Sequence, residues 1–287
     1  MRDEMKVEDV MSKDIIVSYV PGTVENTLKI LAQNDISGLP VLKKETDKLV
    51  GVVTRRDIFK NANEDQLAMV LNEDFFYVKK GQEIEDAARL FYTKRIHGLP
   101  VVNAQHKLIG IINPKELLKV IIKENTDTIA SNYYTKLVVP VYVETPIDII
   151  MEIINITNED ALPVLDENRK VAGIVSDGDL FKLSTIQEGI SKSDMGIGDD
   201  EDQWTWEGIR DTVRMYHATS EVSLPKIPVR EIMIKDVKTV SENTPVCEIA
   251  KLMLKHDISH IPIVESESRL IGMITDIDLM QCLLPKI

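Results

Sequence analysis

Gly38-Leu39-Pro40-Val41, followed after a charged stretch by Gly51-Val52-Val53-Thr54-Arg55-Arg56-Asp57, decides the fold because it recurs. The same grammar is written at Gly98-Leu99-Pro100-Val101 with Gly110 to Glu116, and at Ala161-Leu162-Pro163-Val164 with Gly173 to Asp179. It returns at His260-Ile261-Pro262-Ile263 with Gly272 to Asp278. The anchoring prolines fall at 40, 100, 163 and 262, a period of about 60 residues whose last interval is longer by about 36. A fourfold repeat makes the chain an array of one small unit, and the question of function becomes what that unit binds.

Working outward from the first copy, Ile15 to Tyr19 is a short extended run, and Pro21-Gly22-Thr23 introduces a segment with apolar residues at Val24, Leu28 and Leu31, one buried helical face. Asp35-Ile36-Ser37-Gly38 breaks that helix. Leu39 to Leu42 and Leu49 to Val53 are two apolar runs across a charged turn, the pattern of neighbouring strands, and a second helix starts after Thr54. The other copies keep the helical face at Ile84, Ala88 and Phe91, at Ile147, Ile150 and Ile154, and at Val246, Ile249 and Met253. Their second strands are Leu108 to Ile112, Val171 to Val175 and Leu270 to Ile274. The unit is therefore an α/β (α+β) element of order strand, helix, strand, strand, helix, with domains expected at 5-62, 66-123, 129-184 and 227-285 and an insertion at 185-226. One such unit is too short to bury much surface, so units one with two and three with four are expected to pair.

Charge and cysteine usage narrow the classes. With 34 Lys+Arg against 47 Asp+Glu the formal charge is −13, which disfavours nucleic acid and anionic membrane surfaces as partners. Cys247 and Cys282 have no partner spacing for a disulfide framework or a zinc site, and a reducing cytoplasm is the expected location. Met1 to Val10 lacks a hydrophobic stretch long enough for export or insertion. No nucleophile with a base, no acid and base at catalytic spacing and no metal-ligand set stands out, so an enzyme is not expected.

The recurring motif resembles the cystathionine β-synthase-type (CBS) domain family, with four tandem domains arranged as two Bateman modules. The likeness covers nearly the whole chain apart from the insertion. It is similar in organisation to the gamma subunit of AMP-activated protein kinase and to stand-alone archaeal CBS proteins. The resemblance implies a flat disk whose clefts between paired domains hold adenosyl ligands: AMP, ADP, ATP or S-adenosylmethionine. No obligatory cofactor is implied.

Within that resemblance, Asp57, Asp179 and Asp278 are the ribose contacts, with Thr54, Ser176 and Thr275 near the phosphate or ribose. The chemistry is apt, because one carboxylate accepts bonds from both ribose hydroxyls and a charged hydrogen bond contributes about 1.5 to 3 kcal/mol. The same spacing, Ser/Thr followed three residues later by an acid, is also a helix capping box. Unit two departs: Asn113-Pro114-Lys115-Glu116 is a better capping sequence, with Asn113 a cap and Glu116 a doubtful ribose contact. Arg55 and Arg56 are placed to meet phosphates, whereas Asp177 and Asp276 at the corresponding stretch of units three and four repel them where they face the same way. His97 matches a phosphate-facing histidine of the kinase gamma subunit, or is an exposed loop histidine; Ser37, Asp160 and Ser259 are its equivalents. Leu39, Pro40, Val41, Gly98, Leu99 and Pro100, with Val101, Leu162 and Val164, supply backbone and an apolar wall for adenine, or core packing. Ser18 and Thr239 are candidates for the opposite rim, or ordinary strand residues.

The insertion carries Asp199-Asp200-Glu201-Asp202 and both tryptophans, Trp204 and Trp206, followed by a helical pattern to Tyr216. The acidic run lacks the alternating ligands of a calcium loop. The tryptophans pack on the domains or anchor a partner. The expected function is a non-catalytic sensor of adenine nucleotide acting on an unidentified regulated protein or on a second copy in a homodimer. The alternative is an interaction scaffold that uses the insertion.

Overall fold

The computed structural model describes residues 5–61, 64–124, 128–180 and 227–285. The 185-226 insertion, with Trp204 and Trp206, lies outside the described residues.

After one helical turn, α1 (Val7–Val10), the first repeat runs β1 (Ser18–Val20), α2 (Val24–Gln33), β2 (Gly38–Lys43), β3 (Lys48–Thr54) and α3 (Arg55–Lys60). The second is β4 (Val78–Lys79), α4 (Ile84–Lys94), β5 (Leu99–Val102), β6 (Leu108–Ile112) and α5 (Pro114–Glu124). The third is β7 (Val141–Tyr142), α6 (Ile147–Thr157), β8 (Ala161–Leu165) and β9 (Val171–Ser176), with a helix entered at Asp177. In the fourth, a bridge from Val240 to Ile263 stands for the first strand, followed by α7 (Val246–His256), β10 (His260–Val264), β11 (Leu270–Thr275) and α8 (Asp276–Leu279).

The helix between the first two strands of each repeat is the crossover that parallel strands require. β1 pairs with β2 in parallel and β2 with β3 antiparallel, and the second and third repeats do the same. α2 begins where the Thr23 side chain accepts the Asn26 N–H, and its buried face is Val24, Thr27, Leu28 and Leu31. Residues at or just after the ends of these helices adopt the left-handed conformation that stops a helix: Asp35, Arg95, Asn158 and Asp257.

Neighbouring repeats are joined by an exchange of leading arms. The arm ahead of the first repeat pairs with the second, through the bridges Lys6 to Glu83 and Ser12 to Ile111. The arm ahead of the second returns to the first, through Thr23 to Gln66 and Val52 to Asn72. The third and fourth repeats repeat the exchange through Thr135 to Met273 and Ile174 to Ile234. Each arm buries one apolar residue completely: Val7, Leu67, Ala130 and Val229. Val229 belongs to the core of the third repeat, beside Ile147, Ile150, Leu162 and Val164.

This exchange explains the glycine that opens each second strand motif. A Cβ on Gly51 would lie 2.8 Å from the Asn72 carbonyl oxygen, and one on Gly272 would lie 2.6 Å from that of Thr135. Only a residue without a side chain lets the crossing arm lie so close.

The chain divides into two compact units. One comprises Met1–Thr128, Pro245–Ser259 and Thr275–Ile287; the other comprises Ile129–Thr244 and His260–Ile274. In the first, α5 packs against α7, and α4 against the turn Met280–Leu283, so the helices of the fourth repeat lie on those of the second.

Candidate functional site

The hairpin register brings the two halves of the motif together. Gly38 lies opposite Thr54, Leu99 opposite Ile112 and Ala161 opposite Ser176. A backbone bond then closes this end in three repeats: Arg55 N–H donates to Ser37 O at 2.8 Å, Asp177 to Asp160 O at 3.2 Å and Asp276 to Ser259 O at 2.9 Å. In the second repeat the corresponding residue is Pro114, which has no N–H to give to His97.

The capping box is fully formed in three repeats, and it engages one oxygen of each aspartate. Asp57 Oδ2 accepts Thr54 N–H at 2.9 Å and Thr54 Oγ1 at 2.6 Å, while Asp57 N–H donates back to Thr54 Oγ1 at 3.1 Å. Ser176 with Asp179 and Thr275 with Asp278 repeat this geometry. Capping and ligand contact are thus compatible, because Oδ1 remains. Among the described residues, Oδ1 of Asp57 and of Asp179 takes no protein donor. Oδ1 of Asp278 does: Arg95 Nη1 lies 2.7 Å away. In the second repeat, Glu116 Oε2 accepts Asn113 N–H at 2.8 Å, and the Glu116 N–H bonds the Asn113 carbonyl.

The other candidates are distributed as follows. Arg55 turns along its own repeat, with Nη2 3.5 Å from Leu31 O and 3.4 Å from Asp35 Oδ1. Arg56 is half-buried at the second position of α3. Ser37 is exposed and Ser259 half-buried, each contributing its carbonyl to the closure just described. Leu39, Pro40, Val41, Leu99 and Pro100 are buried in the strands, and Gly98 is half-buried beside Asn113. Ser18 points inward, its Oγ 2.7 Å from Thr27 Oγ1. Thr239 is exposed and lines an open hollow of about 810 Å³ with Tyr134, Lys136, Ser241, Glu242 and Asn243, among others. The Ser/Thr-x-x-Asp residues do not line it.

Sequence reasoning assigned no role to Arg95, and to Asp276 only repulsion of phosphate. Asp276 is 4% exposed, and its Oδ1 accepts Ile277 N–H at 2.8 Å. Burial, reinforced by the Asp278 charge, pushes its carboxyl up to about 6, against the pull of His97, the Ile277 N–H and Lys115. Lys115 pairs with Asp257, the left-handed residue after α7, so the second repeat presents Arg95, His97 and Lys115 to the acids of the fourth. Among the described residues, no cluster of three His, Cys, Asp or Glu side chains is placed to hold a metal ion. No described helix is long and apolar enough to cross a membrane.

Four tandem strand-helix-strand-strand-helix repeats, exchanging arms in neighbouring pairs and capped by Ser/Thr-x-x-Asp in three of four copies, define a class of tandem-repeat α/β proteins. The model of the CBS domain matches residues 7–64, 67–123, 130–185 and 229–285. The chain belongs to the CBS domain family. It is 25% identical over 295 residues to the uncharacterized protein MJ1225 of Methanocaldococcus jannaschii, covering 94% of this chain and 95% of the relative. The crystal structure of MJ1225, described as a proposed archaeal homologue of the kinase gamma subunit, has the same fold, with a TM-score of 0.77 at 22% identity over 97% of this chain and 100% of that one. An uncharacterized conserved protein of Pyrococcus horikoshii has a TM-score of 0.68 at 25% identity, over 98% of this chain and 100% of that one. Inosine-5'-monophosphate dehydrogenase of M. jannaschii is 38% identical over 117 residues, covering 40% of this chain and 23% of that enzyme.

Proposed function

We propose that this protein is a non-catalytic regulator that binds an adenosyl ligand, AMP, ADP or ATP, and passes its binding state to a partner protein or to a second copy of itself. The observation that carries this reading is the half-committed carboxylate of Asp57 and Asp179. The helix cap holds each side chain rigidly by Oδ2 at the mouth of a strand pair, and Oδ1 stands ready for a ribose hydroxyl. Preorganisation of this kind lowers the entropy lost on binding. The MJ1225 likeness adds support, since that protein is described as a proposed homologue of a kinase gamma subunit. The match to the dehydrogenase spans less than a quarter of that enzyme, which leaves its catalytic function out of the comparison. AMP and ATP share adenine and ribose, so in this reading their discrimination rests on cationic side chains, with Arg56 and His97 the candidates. A ligand that prefers one arrangement of the repeats tenfold shifts the balance by about 1.4 kcal/mol.

Isothermal titration with AMP, ATP and S-adenosylmethionine tests this. Loss of one charged hydrogen bond, about 1.5 to 3 kcal/mol, lowers affinity roughly 10- to 150-fold at the altered repeat in Asp57→Ala or Asp179→Ala. Unchanged titrations in the double variant, with wild-type folding, remove the ribose assignment. Tighter binding of S-adenosylmethionine than of any nucleotide moves the ligand class.

A further inference from the structure

The third complete Ser/Thr-x-x-Asp box, Thr275 to Asp278, is buried where the other two are half-buried, and it differs from them in what meets its acid. Its second carboxylate oxygen is already taken. Asp278 Oδ2 serves the cap and Oδ1 accepts Arg95 Nη1 at 2.7 Å, across 183 residues of sequence. The acid side chain is 7% exposed, whereas the arginine is half-exposed. Arg95 also stands where a cationic side chain is least expected. It holds the left-handed position after α4, with φ 51°, where the other repeats place Asp35, Asn158 and Asp257. Asp and Asn tolerate that conformation, and a long side chain gains nothing from it locally. An unfavoured residue in a strained conformation points to a role in what it reaches.

We propose that Arg95 is an internal plug for the fourth repeat: its guanidinium occupies the carboxylate edge that a ribose would use. Adenylate therefore binds at the first and third repeats in the resting protein. The plug is a swap between domains, since the second repeat supplies the cation and the fourth the acid. The contact has an approximate counterpart in the opposite direction. Asp257, which occupies in the fourth repeat the place of Arg95, pairs with Lys115 at the start of the second helix of repeat two. Only the Arg95 arm of this reciprocal contact covers a Ser/Thr-x-x-Asp acid. His97 and Asp276 lie beside it, so releasing Arg95 leaves Asp278 in the company of another buried acid, and the exchange has a cost that ligand binding must meet. Opening the fourth repeat thus requires the helices of repeats two and four to give up a bond between them. That couples occupancy to their packing.

This inference rests on the ribose reading of the motif, and the experiment separates the two. AMP bound per chain at saturation is measured by equilibrium dialysis for wild type, Arg95→Ala, Arg95→Ala/Asp278→Ala, Lys115→Ala and Asp57→Ala/Asp179→Ala, with folding checked by urea titration. Arg95→Ala is expected to bind one more equivalent of AMP than wild type, and the added Asp278→Ala change to abolish the gain. Lys115→Ala, which cuts the neighbouring pair without touching Asp278, is expected to show wild-type stoichiometry. No gain in Arg95→Ala, while Asp57→Ala/Asp179→Ala loses AMP, overturns the plug and keeps the ribose reading. An equal gain in Lys115→Ala overturns it too, because loosened helices rather than an uncovered acid would then admit ligand. Absence of AMP binding in every form overturns both.

Discussion

Replacing Asp276 with asparagine should stabilise the protein, and only above a defined pH. The carboxyl is 4% exposed, on the first residue of α8, and burial moves it from 3.8 to about 6. At ~1.36 kcal/mol per pH unit, holding this acid ionised in the folded state costs about 3 kcal/mol relative to the unfolded chain. The sign follows from proton binding. Between pH 3.8 and about 6 the folded state binds more protons at this site than the unfolded one, so this contribution to stability is fully present below 3.8 and is lost as pH rises to about 6. Asparagine keeps an oxygen for the Ile277 N–H and carries no charge, so it resembles the protonated acid at every pH. Urea unfolding of wild type and Asp276→Asn from pH 4 to pH 8 should show near-equal stabilities at the acid end. A gap of about 3 kcal/mol in favour of the variant should open above pH 6. Other titrating groups affect both proteins and largely cancel. A gap that stays constant with pH, or that favours wild type above pH 6, would show that His97 and Lys115 compensate the buried charge fully and would refute the reasoning.

Further outcomes follow from the same geometry. Leu67→Ala, which truncates a fully buried arm residue, should cost about 2 to 5 kcal/mol in urea unfolding, although Leu67 precedes the second repeat and its backbone N–H bonds Gly22 of the first. Gly51→Ala should cost about 1 to 3 kcal/mol, because the added methyl meets the Asn72 backbone carbonyl as well as the end of the Leu71 side chain, and the carbonyl cannot turn aside. Ser18→Ala should lower stability by about 1 kcal/mol through the lost bond to Thr27. Lys115→Ala should change stability by less than about 1 kcal/mol, since both ends of its pair with Asp257 are substantially exposed.

The repeat grammar was legible because it is local. Val24, Leu28 and Leu31, and Ile147, Ile150 and Ile154, are buried as their spacing requires, and Leu108–Ile112 is the strand that its apolar run marks out. The capping box was legible for the same reason: Thr54 and Asp57 are three residues apart and decide their own geometry. What was not legible depends on partners distant in sequence. Nothing around Arg95 announces an acid 183 positions away, and the cost of burying Asp276 depends on helices from another repeat. Arg55 reads as a phosphate ligand by charge alone, yet the left-handed turn at Asp35 puts a carboxylate within its reach. The exchanged arms were not legible because each is a turn between isolated bridges, too short to show periodicity. The glycines were visible as glycines, but their reason lies on the neighbouring segment that crosses them.

That crossing determines how such a chain can be divided or rearranged. A lone repeat cut from this protein would carry an arm with nowhere to lie and a groove of glycine backbone with nothing in it. Two such fragments would satisfy each other by trading arms between molecules, so a stretch of two neighbouring repeats completes its own arm exchange where a single repeat must find a partner. Duplication, fusion and loss in chains of this design should therefore proceed in steps of two, and an engineer who grafts these modules should move them as couples.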